Sequence, residues 1–87
     1  MKRSAARKKK SDPAEIRARI GGNVRRLRVL RGWSQGTLAE RMGVQIPRVS
    51  EVERGVTDAR LQTLVRFANA LEVSINELFA PQRSSQP

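Results

Sequence analysis

The sequence predicts an all-α fold made of five short helices, and three observations support this class. Apolar residues recur at spacings of three and four, which places them on one face of a helix. Residues that commonly cap helices flank these segments, and no segment alternates apolar and polar residues as a half-buried strand does. With 87 residues and no evident internal repeat, the chain is expected to form one small domain.

The first helix is predicted over residues 13–30. Asp12 is its expected N-cap, since proline follows at the first helical position and Glu15 stands three residues after the cap, as in a capping box. Gly32 follows the last periodic residue and is expected to end the helix. The predicted apolar stripe comprises Ile16, Ile20, Val24 and Leu27.

Two adjacent glycines, Gly21 and Gly22, interrupt the pattern of this first helix. Each is about 1 kcal/mol less favourable than alanine inside a helix. Two explanations are therefore open. Either the helix bends at the pair, or a glycine allows another backbone to approach closely.

Residues 33–55 form the most informative part of the chain, because two short helix patterns meet there at a tight turn. Ser34 is the expected cap of the second helix, which ends at Met42, and Gly43 can adopt the positive φ of the turn. The interlocking apolar or small positions are Leu38, Ala39, Met42, Val44, Val49 and Val52. This arrangement buries one side of the third helix and leaves the other side free.

The third helix is predicted over about residues 47–54, with Gly55 ending it. Because proline disfavours a helical conformation in the residue before it, Pro47 favours Ile46 as the cap and a start one residue late.

The fourth helix is predicted over about residues 60–71, and Asp58 is a candidate for its cap. Its expected buried residues are Leu61, Leu64, Phe67, Ala68 and Leu71. Ser74 and Glu77 form a second capping-box pattern that opens a short fifth helix, and Pro81 stops it. The apolar residues of the fifth helix are Ile75, Leu78 and Phe79.

Charge and composition limit the possible functions. The chain has 18 Lys and Arg against 8 Asp and Glu, and the resulting charge of +10 favours a nucleic-acid partner over an anionic membrane. No apolar run approaches the roughly 18 residues of a membrane span, and no signal-peptide pattern is present. Without Cys or His, the chain lacks thiolate ligands and the commonest general base. We therefore expect no enzyme, no catalytic residues, no metal and no cofactor.

The domain organisation follows from the same patterns. Residues 1–11 are expected to be a disordered basic arm, residues 12–80 the folded domain, and residues 81–87 a flexible tail. The arm carries Lys2, Arg3, Arg7, Lys8, Lys9 and Lys10. It either lies along DNA phosphates or serves as a solvated tail that aids solubility.

At residues 20–79 the chain resembles the lambda-repressor/Cro-like helix-turn-helix family, also called the XRE family. The matching pieces include Gly32-Trp33-Ser34-Gln35, Leu38-Ala39-Glu40, Gly43-Val44, Val49-Ser50 and Val52-Glu53-Arg54-Gly55. The resemblance implies a compact five-helix lambda-repressor-like domain. It also implies sequence-specific binding of double-stranded DNA, with the third helix in the major groove.

The resemblance further implies roles for individual residues. The base-reading positions match Gln45, Ile46, Pro47, Arg48, Ser50 and Glu51. The DNA backbone contacts match Gln35, Arg54 and Arg60, and the basic arm adds Lys8, Lys9 and Lys10. The glutamine that Gln35 matches often also braces the recognition helix. Arg28 and Glu53 match an internal ion pair of the family that is structural. Three departures stand out: Gly36 weakens the start of the second helix, Gln45 replaces the usual Ser or Thr cap, and Glu72 replaces a helix-ending glycine, which suggests a different cap geometry.

The expected function is a transcriptional regulator, specifically a cytoplasmic, nucleoid-associated repressor that binds an operator as a homodimer. The fifth helix either pairs two subunits or packs only within its own subunit. Trp33 either packs in the core, which is the favoured interpretation, or stacks on a base. Two alternatives to the simple repressor are an antitoxin that binds a toxin partner and its own promoter, and the controller of a restriction–modification operon.

Overall fold

Five α-helices account for most of residues 10–81, which are the residues that the computed structural model describes. The helices are α1 (Pro13–Leu30), α2 (Gln35–Met42), α3 (Ile46–Glu53), α4 (Leu61–Leu71) and α5 (Ile75–Phe79). No strand occurs in this range. The all-α class and the order of five helices are therefore confirmed. Most of the predicted arm and tail, including Lys8 and Lys9, lies outside the described residues.

Asp12 caps α1 and Gly32 ends it as the sequence predicts, but no capping-box bond of Glu15 occurs among residues 10–81. The side chain of Asp12 accepts a hydrogen bond from the backbone N–H of Ala14 at 3.0 Å, and proline occupies the first helical position. At the other end Gly32 has a φ of 73°. The chain reverses there, and the N–H of Trp33 donates to the carbonyl of Arg28 at 3.2 Å. Backbone groups at both ends of α1, which lack partners within the helix, thus form hydrogen bonds with neighbouring residues.

Gly21 of the glycine pair lies at a close backbone contact, and α1 runs through the pair as one continuous helix. A Cβ atom added to Gly21 would lie 2.4 Å from the carbonyl oxygen of Val52 and 2.6 Å from that of Glu53. These distances are too short for any side chain. Glycine is therefore required at the point where α1 crosses the carboxyl end of α3.

A single apolar core lies between the five helices. It comprises Ile20, Val24, Leu27, Leu38, Ala39, Met42, Val49, Val52, Leu64, Phe67, Ala68, Leu71 and Leu78. The prediction that Leu61 is buried is wrong, because its side chain is 69% exposed. Leu61 is the first residue of α4 and lies beyond the edge of the core, whereas Leu64 one turn later is buried.

Two predicted caps do not form. Asp58 does not cap α4, because its carboxylate accepts a hydrogen bond from Nη1 of Arg17 at 2.7 Å, and Arg60 occupies the cap position without a side-chain bond. Ser74 occupies the cap position of α5, but its side chain makes no cap hydrogen bond. Instead, the N–H of Glu77 donates to the carbonyl of Ser74 at 3.0 Å, so the predicted capping box is absent.

The start of α3 also differs from the prediction. Gln45 is the N-cap, with φ −88° and ψ 152°, and Ile46 is already helical, so the expectation that Ile46 caps the helix is wrong. Pro47 is tolerated in the first turn because the N–H groups there have no intrahelical acceptor in any case.

A buried asparagine that the sequence analysis missed fastens α5 to α1. The side chain of Asn23 is 1% exposed, and its Nδ2 donates to the carbonyls of Leu78 at 2.9 Å and Ala80 at 2.8 Å. These carbonyls end α5, where Ala80 is extended ahead of Pro81, which stops the helix as predicted. The only sequence signal was a polar residue next to the buried stripe of α1.

The end of α4 has the conformation that a glycine would give it. Glu72 lies in the left-handed region, with φ 60° and ψ 44°. The expectation of a different cap geometry is therefore wrong. A residue with a Cβ is strained there by about 1–2 kcal/mol, and the rest of the fold imposes this strain.

We predict that Gly21→Ala lowers the free energy of unfolding by about 2–3 kcal/mol, because two backbone carbonyls occupy the space that the methyl group needs. The matched control is Gly36→Ala in α2, whose added Cβ would lie 3.5 Å from the nearest atom. The control should be neutral or more stable by up to about 1 kcal/mol. Urea unfolding measures both values, and equal effects would contradict the close-contact explanation.

We predict that Glu72→Gly raises the free energy of unfolding by about 1 kcal/mol, because glycine adopts the left-handed conformation without strain. Glu72→Ala is the control, since it removes the carboxylate at the helix end but keeps the Cβ atom. Thermal unfolding of both variants separates the two causes. If alanine stabilises as much as glycine, the gain comes from charge and not from backbone conformation.

Candidate nucleic-acid interface

The turn between α2 and α3 positions the candidate surface. Gly43 has φ 72°, as its place in the turn predicts, and the N–H of Val44 donates to the carbonyl of Ala39 at 3.0 Å. Ala39 itself is 2% exposed. Its small side chain leaves room for the close crossing of the two helices, which fixes the angle between them.

The two faces of α3 differ sharply in burial. Val49 and Val52 point into the core, at 0% and 3% exposure. The predicted base-reading residues share the opposite side, where Gln45, Ile46, Pro47 and Arg48 are exposed and Ser50 and Glu51 are half-buried. The structure therefore brings all six predicted residues together on one outer surface, which we call the α3 outer face.

Ile46 is held at the edge of this face by its contact with α2. Its side chain is 51% exposed, and its Cδ1 atom lies 3.5 Å from the position that a Cβ atom on Gly36 would take. The isoleucine therefore leans across the first turn of α2. Despite its glycine, α2 begins at Gln35, because the Ser34 hydroxyl accepts the N–H of Thr37 at 3.0 Å as predicted.

Ser50 and Arg54 interact with each other on the outer face. The Nε atom of Arg54 donates to the hydroxyl oxygen of Ser50 at 3.3 Å. The sequence analysis had separated these residues into a base contact and a backbone contact. Their spacing of four residues on one helix was the signal that they are neighbours.

A buried ion pair fixes the carboxyl end of α3, and this predicted pair is confirmed. Nε of Arg28 donates to one carboxylate oxygen of Glu53 at 2.6 Å, and Nη2 donates to the other at 2.9 Å. The two side chains are only 11% and 3% exposed. The remaining Nη1 donates to the carbonyl of Trp33 at 2.9 Å, so the guanidinium fork is nearly filled.

The pair also determines the charge state of the arginine. The hydrogen bonding that Arg28 donates to Glu53 raises the pKa of Arg28 above its ordinary value, and this effect outweighs burial, which lowers the pKa. A raised pKa stabilises the fold below the ordinary value, and this stabilisation is lost only at still higher pH. The Arg28 guanidinium is therefore charged throughout the pH range in which such domains are studied.

Gln35 extends the ion pair to a third helix. Its Nε2 atom donates to a carboxylate oxygen of Glu53 at 3.0 Å, so the first residue of α2 braces the last residue of α3. This position agrees with the bracing role that the resemblance implies for Gln35. Its contact with the DNA backbone stays a prediction.

Trp33 packs against the core, as the favoured interpretation predicts. The guanidinium groups of two arginines also lie over its ring, and sequence reasoning missed both contacts. The guanidinium of Arg41 lies 4.2 Å from the ring centroid and that of Arg31 lies 5.9 Å from it. Cation–π attraction holds both charges at the surface beside the start of α2.

The other predicted backbone contacts lie at exposed positions. Lys10, Arg54 and Arg60 are all exposed, and Arg60 stands at the start of α4. Within residues 10–81 the salt bridges are those of Arg17 with Asp58 and of Arg28 with Glu53. The exposed arginines of the outer face and its surroundings therefore keep their charge unneutralised by protein carboxylates.

This geometry defines a class of protein. Helix α2 is braced against α3, and α3 presents its outer face beside arginines that form no salt bridge within residues 10–81. This arrangement is that of a helix-turn-helix DNA-binding domain. Residues 24–78 match the helix-turn-helix family HTH_3. The chain belongs to this family, the XRE-type regulators of transcription.

Two similar proteins carry the names of a hypothetical transcription factor and a transcriptional regulator. The chain is 37% identical over 70 residues to the Neisseria hypothetical transcription factor from Neisseria meningitidis, covering 80% of this chain and 66% of that protein. It is 33% identical over 68 residues to the HTH-type transcriptional regulator SutR from Escherichia coli, covering 78% of this chain and 38% of that one. The chain therefore spans about two thirds of the first relative's length and 38% of the second's.

Solved structures share the fold. The crystal structure of the hypothetical transcription factor NHTF from Neisseria aligns with a TM-score of 0.75 and 34% identity, over 88% of each chain. The restriction-modification controller protein C.AhdI from Aeromonas hydrophila aligns with a TM-score of 0.70 and 36% identity. That alignment covers 72% of this chain and 96% of the controller. Within the described residues, no helix is both long and apolar enough to cross a membrane.

We predict that Glu53→Ala lowers the free energy of unfolding by about 3–5 kcal/mol, because it leaves the Arg28 charge buried without its partner. The control is Asp58→Ala, which breaks the ion pair of a carboxylate that is 85% exposed. The control should cost less than about 1 kcal/mol. Urea unfolding at low temperature compares them, and similar losses would show that the buried pair is not a structural brace.

Proposed function

We propose that this protein is a sequence-specific repressor that binds double-stranded operator DNA as a homodimer in the cytoplasm, in association with the nucleoid. The main observation that supports the proposal is the α3 outer face, whose six candidate residues are accessible while Val49 and Val52 anchor the helix from behind. An α-helix presented in this way fits the major groove, where every base pair is distinguishable.

The outer face offers a mixed set of contacts to base edges. Ile46 and Pro47 are exposed and apolar, and such groups contact the methyl group of thymine. Arg48 donates to guanine, and Glu51 accepts from the amino group of cytosine or repels phosphates in a wrong register. Gln45 and Ser50 complete the base-reading set.

Phosphate contacts supply the affinity. We assign them to Gln35 at the start of α2, to Arg60 at the start of α4, and to Lys8, Lys9 and Lys10 of the arm. The charge of +10 favours release of counterions from DNA, so binding weakens as salt rises.

The dimer is proposed to form at the α5 end. Leu78 is fully buried within its own subunit, whereas Phe79 keeps 38% of its surface exposed and Ile75 is half-buried. Exposed apolar surface at this end supports pairing with a second copy. A dimer of this kind places two recognition helices about 34–36 Å apart, one turn of DNA.

A second candidate is the controller of a restriction–modification operon. The similarity to C.AhdI, which covers 96% of that protein, supports it. An antitoxin with a toxin partner is a further variant of the same DNA-binding role. Genes for a restriction enzyme or a toxin beside this gene would favour one or the other.

We predict that duplexes selected from a random pool by the purified protein share a motif with dyad symmetry and half-sites about one helical turn apart. Arg48→Ala should change the preferred base at one position of each half-site. Arg60→Ala should weaken all duplexes alike and reduce the slope of log K against log salt by about 1.

The two variants control for each other, because each removes one exposed positive charge. Sequencing of the selected pools gives the preference, and fluorescence anisotropy over a salt series gives the slope. A selected pool without any shared motif would refute the sequence-specific function. A single half-site without symmetry would refute the dimer.

A further inference from the structure

Arg54 lies one helical turn beyond Ser50, at the end of α3. Its backbone N–H donates to the Ser50 carbonyl at 3.0 Å, and its side-chain Nε donates to the Ser50 hydroxyl at 3.3 Å. Side chains on a helix lean toward the N-terminus, and this bond fixes Arg54 in that direction. The guanidinium is therefore carried back along the α3 outer face, to the level of Ser50.

This bond leaves the terminal nitrogens of the Arg54 guanidinium available to a ligand. Nε is used by Ser50, whereas both terminal nitrogens keep their N–H groups free of any protein acceptor within residues 10–81. No carboxylate of this range, including that of Glu51 on the same helix, forms an ion pair with Arg54. The side chain is exposed, so two parallel donors face solvent from a fixed position.

Two parallel donors of this kind match the O6 and N7 acceptors of guanine in the major groove. We propose that Arg54 is a base-reading residue for guanine and that Ser50 is a positioning residue that orients it. The proposal rests on the proposed function. It differs from the phosphate contact that the family resemblance implies for Arg54, and it gives Ser50 an indirect role.

The half-burial of Ser50 supports this assignment. Its hydroxyl oxygen already accepts the Arg54 bond, and its side chain is less accessible than those of Arg48 or Pro47 on the same face. The O6 and N7 acceptors of guanine lie side by side on one base edge in the major groove, so a fork held in one direction at the level of Ser50 suits them.

The test compares Arg54→Ala, Arg54→Lys, Ser50→Ala and the double variant Ser50→Ala/Arg54→Ala in the duplex selection and in anisotropy titrations. Arg54→Lys is the matched control, because it keeps the charge and loses the fork. Arg54→Ala should lose the preference for guanine at one position, by about tenfold, and Arg54→Lys should keep only part of that preference. Ser50→Ala should weaken the preference at that same position by about threefold, and should have no further effect when Arg54 is already alanine.

Each other outcome overturns a defined part of the inference. If Arg54→Ala weakens all duplexes equally and Arg54→Lys restores binding, Arg54 contacts phosphate. If Ser50→Ala changes a different base position, with effects that add to those of Arg54→Ala, then Ser50 reads a base itself. If the unaltered protein selects no motif, the proposed function fails as well, and this result is distinct from the other two. Thermal unfolding confirms that each variant is folded.

Discussion

The buried ion pair between Arg28 and Glu53 is the constraint on which the recognition surface depends. One carboxylate receives donors from α1 and from the first residue of α2, while the arginine also holds the carbonyl of Trp33. The end of α3 is thereby tied to two other helices at a single point. Removing one partner would leave an uncompensated charge in the interior, and this costs far more free energy than the pair itself contributes. The packing of α1, α2 and α3 at this point is therefore cooperative.

The distribution of charge follows from this constraint. Glu53 is used inside the fold, and Asp58 pairs with Arg17 at the surface, about three turns of α1 before Arg28. Within residues 10–81, none of the remaining carboxylates forms a salt bridge with the arginines of the α3 outer face. The domain therefore combines an internal ionic brace with an external positive field, and the field attracts a polyanion over distances of about a Debye length, roughly 10 Å.

Much of the fold was predictable because its signals are local. Spacings of three and four gave the helices, and Asp12, Ser34 and Gly43 marked their ends through residues only a few positions away. Two of the features that were misassigned or missed depend on distant partners. Asp58 bonds to a residue 41 positions earlier, and Asn23 bonds to carbonyls 55 and 57 positions later. The candidate surface was predicted as a set of residues. The spacing of four residues marks Ser50 and Arg54 as neighbours on the helix, but the hydrogen bond between their side chains depends on side-chain directions that the spacing does not give.

The contact at Gly21 has a consequence for how binding measurements are interpreted. Backbone meets backbone there, with no deformable side chain between α1 and α3. The recognition helix is therefore preorganised, and little ordering of the main chain remains to oppose association. Differences in affinity among variants of the outer face then report gained or lost contacts with the ligand, and they appear mainly in the dissociation rate.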